Sequence, residues 1–200
     1  MLFTAIEAPG DAVVTITETG GDDQRIATVL RFWKEAGPDR WFSKDDAFDR
    51  TFTGNFLDLH MAAAARRLDP WMETPDGALA LLILTDQFPR NAFRDTGHMF
   101  ATDPLALFFA RHALAVRYMD GVDPELSPFF GLPFMHSEDL ADQDVSVALN
   151  EGFGEPWLPH AKDHREIVRR FGRFPHRNPV LGRETTAAET AFLEAGGFQG

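Results

Sequence analysis

The sequence predicts an all-α fold: seven to eight helices packed as stacked antiparallel hairpins, with a short non-helical arm at the N-terminus. Three observations predict it. Apolar residues recur at i, i+3, i+4 and i+7 from Arg25 onward. Turns containing Pro and Gly separate these segments at lengths that suit helices of roughly 10 to 20 residues. Beyond the arm, no stretch reads as a good strand, and the short connections imply antiparallel neighbours.

Residues 1–24 read as the arm, either one lone β-strand over residues 13–17 (Val-Val-Thr-Ile-Thr) or a disordered segment. Residues 25–200 read as a single all-helical domain. Ile26, Val29, Leu30 and Trp33 form the first stripe, which Gly37-Pro38 stops. Ser43 and Asp46 mark a capped start for the next helix. Its inward face is Phe48, Phe52, Phe56, Leu59 and Ala63, running to about Leu68. Thr74-Pro75 combines a cap with a proline at the first helical position. The run that follows, from Ala78 to Leu84, is apolar nearly all round, as expected of a central element. Asp103-Pro104 and Asp123-Pro124 repeat the cap-proline start. Leu105, Phe108, Phe109, His112, Ala113 and Val116 are expected as a buried stripe between them. Ser137-Glu138-Asp139 opens a helix with acids in its first turn. After a loop over residues 151–159, another helix is expected from about His160 to Phe171. Thr186 and Glu189 form a capping box for a final short helix.

Bulk properties exclude several classes. The chain has no cysteine, so thiolate metal sites, thiol nucleophiles and disulfides are excluded. The start lacks a basic, then apolar, leader, and no apolar run is long enough for a transmembrane helix. A soluble, cytoplasmic protein is expected. A formal net charge of −12 argues against nucleic-acid binding. The charge is segregated: residues 118–160 carry acids without Lys or Arg, and residues 161–183 are rich in arginine. Two solvated faces that attract each other are the simpler reading, and a local positive field drawing an anion into a cleft is the sharper one.

Two turns stand out. Asp86-Gln-Phe-Pro-Arg-Asn91 is expected to end the apolar central helix, and Arg173-Phe-Pro-His-Arg-Asn178 to end a later one. Each places a guanidinium and an amide where a helix must stop, leaving carbonyls that Arg90, Arg177, Asn91 and Asn178 can satisfy. Asp86 is expected to pair with an arginine of the other turn. In the structural reading, Asp86, Arg90, Glu138, Arg173 and Arg177 form a buried network that sets how the hairpins stack. In the functional reading, Arg90, Arg94, Arg173, Arg177 and His176 converge, and surplus positive charge holds a carboxylate or phosphate. His136, His164 and His176 are then the candidate proton donors or acceptors. No nucleophile with an adjacent base is legible. His160 and His164 have metal-ligand spacing, with His136 and Glu138 as further ligands. Residue 161, however, is Ala where a zinc hydrolase carries Glu, so no metal is assigned.

The same segments carry a resemblance. Residues 86–91, 100–106, 132–138 and 164–183 resemble the bacterial domain-of-unknown-function family numbered 924. The last of these is the most specific: His-Arg-Glu-Ile-Val-Arg-Arg-Phe-Gly-Arg-Phe-Pro-His-Arg-Asn-Pro-Val-Leu-Gly-Arg. The resemblance spans about residues 25–195. It implies a tetratricopeptide-like superhelix and no established reaction.

The expectation is a helical protein whose polar Arg/His/Asn centre takes a small anionic ligand through Asp86, Arg90, Asn91, Arg94, Glu138, Arg173, Arg177 and Asn178. The alternative is a non-catalytic scaffold for a protein or peptide, displaying loop aromatics such as Trp41, Phe129, Phe130, Phe153 and Trp157, its Arg/Asp network purely structural. No cofactor, nucleic acid or membrane is expected as a partner.

Overall fold

A computed structural model describes residues 21–200, and the β-like run at residues 13–17 lies outside the described residues. Among those described, all regular structure is helical. The helices are α1 (Asp22–Ala36), α2 (Pro38–Trp41), α3 (Asp46–Ala64), α4 (Pro75–Leu82), α5 (Phe88–Ala92), α6 (Asp103–Ala115), α7 (Leu132–Met135), α8 (Leu140–Glu151), α9 (Trp157–Phe171) and α10 (Ala187–Glu194). The first helix thus starts three residues before the expected Arg25. No described helix is long and apolar enough to cross a membrane.

The central element is buried on every side, as its composition requires. Helix α4 packs against α1 and α6, while α5 packs against α3; α8 and α9 form an extensively packed hairpin. Trp33, Phe52, Phe56, Phe88, Phe129 and Phe130 fill the main core. A smaller cluster of Ile167, Val168 and Phe174 gathers the C-terminal part of the chain. The loop aromatics turn inward: Trp41, Phe129 and Phe130 are buried, and the Trp41 indole donates to the Trp33 carbonyl at 2.6 Å. Charge segregation resolves into contacts between the two segments, since Arg165 pairs with Asp144 and Arg183 with Glu138.

Several local expectations are corrected. Asp45, not Ser43 or Asp46, caps α3, accepting from Ala47 and Phe48 backbone N–H groups. Helix α3 ends at Ala64 rather than Leu68, and α9 starts at Trp157 rather than His160. No helix starts at Asp123-Pro124; Asp123 closes a turn on Glu125 N–H and pairs with Lys34. The inward face of α6 is Ala106, Phe109, Ala110 and Ala113, leaving Phe108 and Val116 exposed. Small residues on that face allow α6 to approach the central rod closely. The capping box at Thr186 forms as expected.

The main correction concerns Pro89. Its turn does not end the helix: α4 continues through a π-helical turn, Ile83–Gln87, into α5. Proline offers no N–H and its ring crowds the carbonyl four residues back, which here is that of Thr85. Widening the turn relieves the crowding, and Phe88 N–H accordingly bonds the Ile83 carbonyl five residues earlier. Two carbonyls are left over, and both are satisfied from outside. His60 Nδ1 donates to Leu84 O at 2.9 Å, and Thr102 Oγ1 donates to Thr85 O at 2.6 Å.

Thr102→Val removes the second of these donors while keeping the side-chain shape. Leaving a buried carbonyl unpaired costs about 1–3 kcal/mol. Urea unfolding should therefore show a lowered midpoint with an unchanged m value; an unchanged midpoint would mean that Thr85 O does not need its partner.

Candidate functional site

The widened turn aims Asp86 into the protein, where it is 1% exposed. One carboxylate oxygen accepts from His136 Nδ1 at 2.8 Å and the other from Gln87 Nε2 at 2.6 Å. Burial opposes its charge, but Arg90 and His136 outweigh burial and hold the carboxyl well below the usual carboxylate range. His136 follows α7. Gln143 of α8 clamps its backbone by donating to the carbonyls on either side, Met135 O at 2.7 Å and Ser137 O at 2.6 Å. Burial, with Arg90 nearby, pushes the imidazole toward its neutral form against the pull of Asp86.

Arg90 reaches back to the Asp86 carbonyl at 2.6 Å, as expected, and then forks onto Asp103 at 2.9 and 3.2 Å. Burial alone would lower its pKa, but Asp103 and Asp86 more than offset it. The second turn arrives from the other side. Helix α9 stops at Gly172, whose φ of 69° lies in the left-handed region, and this directs residues 173–178 back over the molecule. Arg177, 6% exposed, lies between the rings of Phe100 and Phe174 with its guanidinium carbon 4.5 Å from each centroid. Its Nη1 donates to Asp103 Oδ2 at 3.3 Å, and its Nε has no partner. Burial lowers its pKa to about 10; Asp103 opposes that shift and Arg90 adds to it.

The two turns therefore meet, but through a residue read from sequence only as a helix cap. Asp86 does not take an arginine from the other turn; it takes His136, Gln87 and its own Arg90. The cross-turn partner is Asp103. At the start of α6, neither Thr102 nor Asp103 caps the helix with its side chain. Each instead serves the central rod. Phe100 is the second residue that sequence reasoning missed. Two cap-competent side chains in succession, Thr102-Asp103, were the available signal, since a helix needs only one.

The expected five-residue cationic convergence does not form, because two of its arginines are satisfied elsewhere. Arg94 forks onto Asp49 at 2.6 and 3.1 Å and also bonds Asn91 Oδ1; Asn91 in turn donates to Gln87 O. Arg173 forks onto Glu189 at 2.6 and 2.8 Å, holding that carboxyl at about 2. Glu138 lies near the centre, where one oxygen accepts from both Phe174 N–H and Arg183, each at 2.9 Å. Asn178 is fully buried, and its amide has no partner in hydrogen-bond geometry although it lies beside Glu189. His164 Nδ1 donates to the His160 carbonyl at 2.8 Å, and its ring contacts Phe174 and Phe198. His176 contacts Phe100, Phe174 and Phe198, and its Nδ1 is buried without a partner. Two surface depressions, of about 620 and 400 Å³, are lined by residues outside this centre.

Over residues 29–197 the sequence matches the family model described as bacterial protein of unknown function, DUF924. The chain belongs to this family. Its fold is also similar to a solved structure, that of the protein of unknown function ATU0120 from Agrobacterium tumefaciens. The two share 52% sequence identity with a TM-score of 0.86, covering 88% of this chain and 99% of that one. No curated protein matches the sequence. The family thus fixes the architecture, and the chemistry must be read from the side chains.

Burial lowers the His164 pKa to about 4 and that of His176 to about 3. An unfolded chain binds protons on both imidazoles near pH 6.5, where the folded chain does not. Stability is therefore complete above that pH and falls as pH drops toward 4, by roughly 1.4 kcal/mol per unit for each histidine. Asp86, Glu138 and Glu189, whose pKa values are lowered, add losses only below the ordinary carboxylate range. Urea midpoints measured from pH 7 to 4.5 should fall steadily, and His176→Gln should flatten the slope; a level profile would contradict the burial of these imidazoles in neutral form.

Proposed function

We propose that the polar centre binds a small anionic molecule, through a carboxylate or phosphate, beside Arg177. One observation carries this reading: Arg177 is a buried cation without a full share of negative charge. Its one ion pair is long, its carboxylate is shared with Arg90 in better geometry, and its Nε is unpaired. Buried charges are costly unless fully paired. His136, His164 and His176 are driven neutral around it and do not compete for the anion. Arg90, with Asp86 and Asp103 already in place, fixes Arg177's surroundings.

A second reading has its own support. Arg90, Arg177 and Arg183 face Asp86, Asp103 and Glu138, so the centre is balanced in charge and could serve only to lock the helices together. A scaffold for protein or peptide partners draws less support, because Trp41, Phe129 and Phe130 are buried rather than displayed.

Inorganic phosphate, titrated at constant ionic strength in a thermal-shift assay, separates these readings. At ten times Kd an anion stabilises by about 1.4 kcal/mol, a Tm rise of roughly 3–6 °C for a chain of this size. Arg177→Met keeps an unbranched stem between Phe100 and Phe174; it should unfold cooperatively and lose the shift. If phosphate leaves the wild-type Tm unchanged, the anion reading fails. If Arg177→Met merely fails to fold, the structural lock is favoured.

A further inference from the structure

We propose that His136 and Asp86 are the acid–base couple of this centre, His136 Nε2 exchanging a proton with the bound anion and Asp86 positioning the ring. The inference rests on the anion-binding reading and deepens it from binding to an activity. Among the described residues, His136 is the one histidine that donates to a carboxylate. That bond places the proton on Nδ1 and turns the Nε2 lone pair away from Asp86. Among the described residues nothing bonds Nε2, and the side chain is 16% exposed.

The other imidazoles lack one or both properties. His60 spends Nδ1 on Leu84 O, and its Nε2 is sealed beneath Phe88 and Phe93. His164 is oriented by a neutral carbonyl, and His176 has no orienting partner. The couple is also held rigidly: Asp86 by the π-helical turn and Gln87, His136 by the Gln143 clamp.

The groups around His136 set its chemistry. Asp86 and Arg90 come from the central rod and Asp103 from α6, with His164 of α9 and His176 of the second turn also near. The neutral imidazole accepts the proton at Nε2, forming the N–H bond. The electron pair of the broken O–H or C–H bond stays on the substrate, where Arg177 and Arg90 face the growing negative charge. Asp86 remains ionised and stabilises the imidazolium, which then returns the proton. The substrate class is a small carboxylate or phosphate ester carrying a hydroxyl or an activated C–H beside its anionic group. No oxidant or second reactant is required.

Diethyl pyrocarbonate tests the couple without knowledge of the substrate, because it acylates a reachable unprotonated imidazole nitrogen. In the native protein at pH 7, peptide mass spectrometry should find His136 modified while His60 remains intact. Inorganic phosphate at ten times Kd should slow that modification about tenfold by occupying the site. Nitrogen-detected NMR should show His136 as the Nδ1–H tautomer, and Asp86→Asn should lose that preference. The wild-type tautomer answers the question by itself if the variant does not fold. Protection of His136 from the reagent in the free protein, or an Nε2–H tautomer, overturns the couple. Fast modification that phosphate does not slow overturns its placement beside the anion. These failures are distinct from an absent thermal shift, which removes the anion and leaves the reactivity of His136 as measured.

Discussion

Asp103 accepts from two arginines that lie 87 positions apart in the chain, Arg90 on one oxygen pair and Arg177 on the nearer oxygen. Both guanidinium groups also lie against the ring of Phe100, three residues before it. The end of the central rod, the start of α6 and the second proline turn are tied at this one carboxylate. It is also where the main core meets the smaller C-terminal cluster, since Phe174 of that cluster covers the other side of Arg177. A buried ion pair adds little net stability compared with apolar packing of the same volume. Its contribution here is specificity: a slip of the second turn by one residue would leave both Asp103 and Arg177 without adequate partners.

The π-helical turn supplies the other half of the arrangement. A regular α-helix cannot carry Pro89 in its interior without losing a bond and crowding Thr85. The chain keeps its rod continuous through the core by widening the turn and recruiting His60 and Thr102 to the two carbonyls left over. The same widening brings Asp86 toward α7, within reach of His136. Backbone accommodation of one proline thus produces the carboxylate–imidazole pair, and Gln143 holds the imidazole's end of it.

Much of the helical architecture was legible because periodicity and capping act locally. The inward stripes of α1 and α3, the proline start of α4 and the Thr186 capping box each depend on neighbours within a turn or two. That the two Phe-Pro turns share one polar centre was also legible, from their repeated Arg-Asn ending. The partners were not. Asp103 looks like a cap because Asp before Pro commonly is one, and nothing local says that its carboxylate is spent on arginines far along the chain. Arg94 and Arg173 look equivalent to Arg90 and Arg177, yet Asp49 and Glu189 claim them. The stripe on α6 was legible at Phe109 and Ala113 but drawn too wide, because Phe108 and Phe109 are equally apolar and only packing against α4 decides which turns inward. Continuation of the helix through Pro89 required knowing that distant donors would satisfy its carbonyls.

The most direct measurement is a double-mutant cycle between Asp103→Asn and Arg177→Met, read as urea unfolding free energies. Residues in one buried ion-pair network couple by about 0.5–3 kcal/mol, and a coupling of at least about 1 kcal/mol is expected if Asp103 joins the two turns. Additive effects, with coupling near zero, would mean that the turns lie side by side without depending on each other.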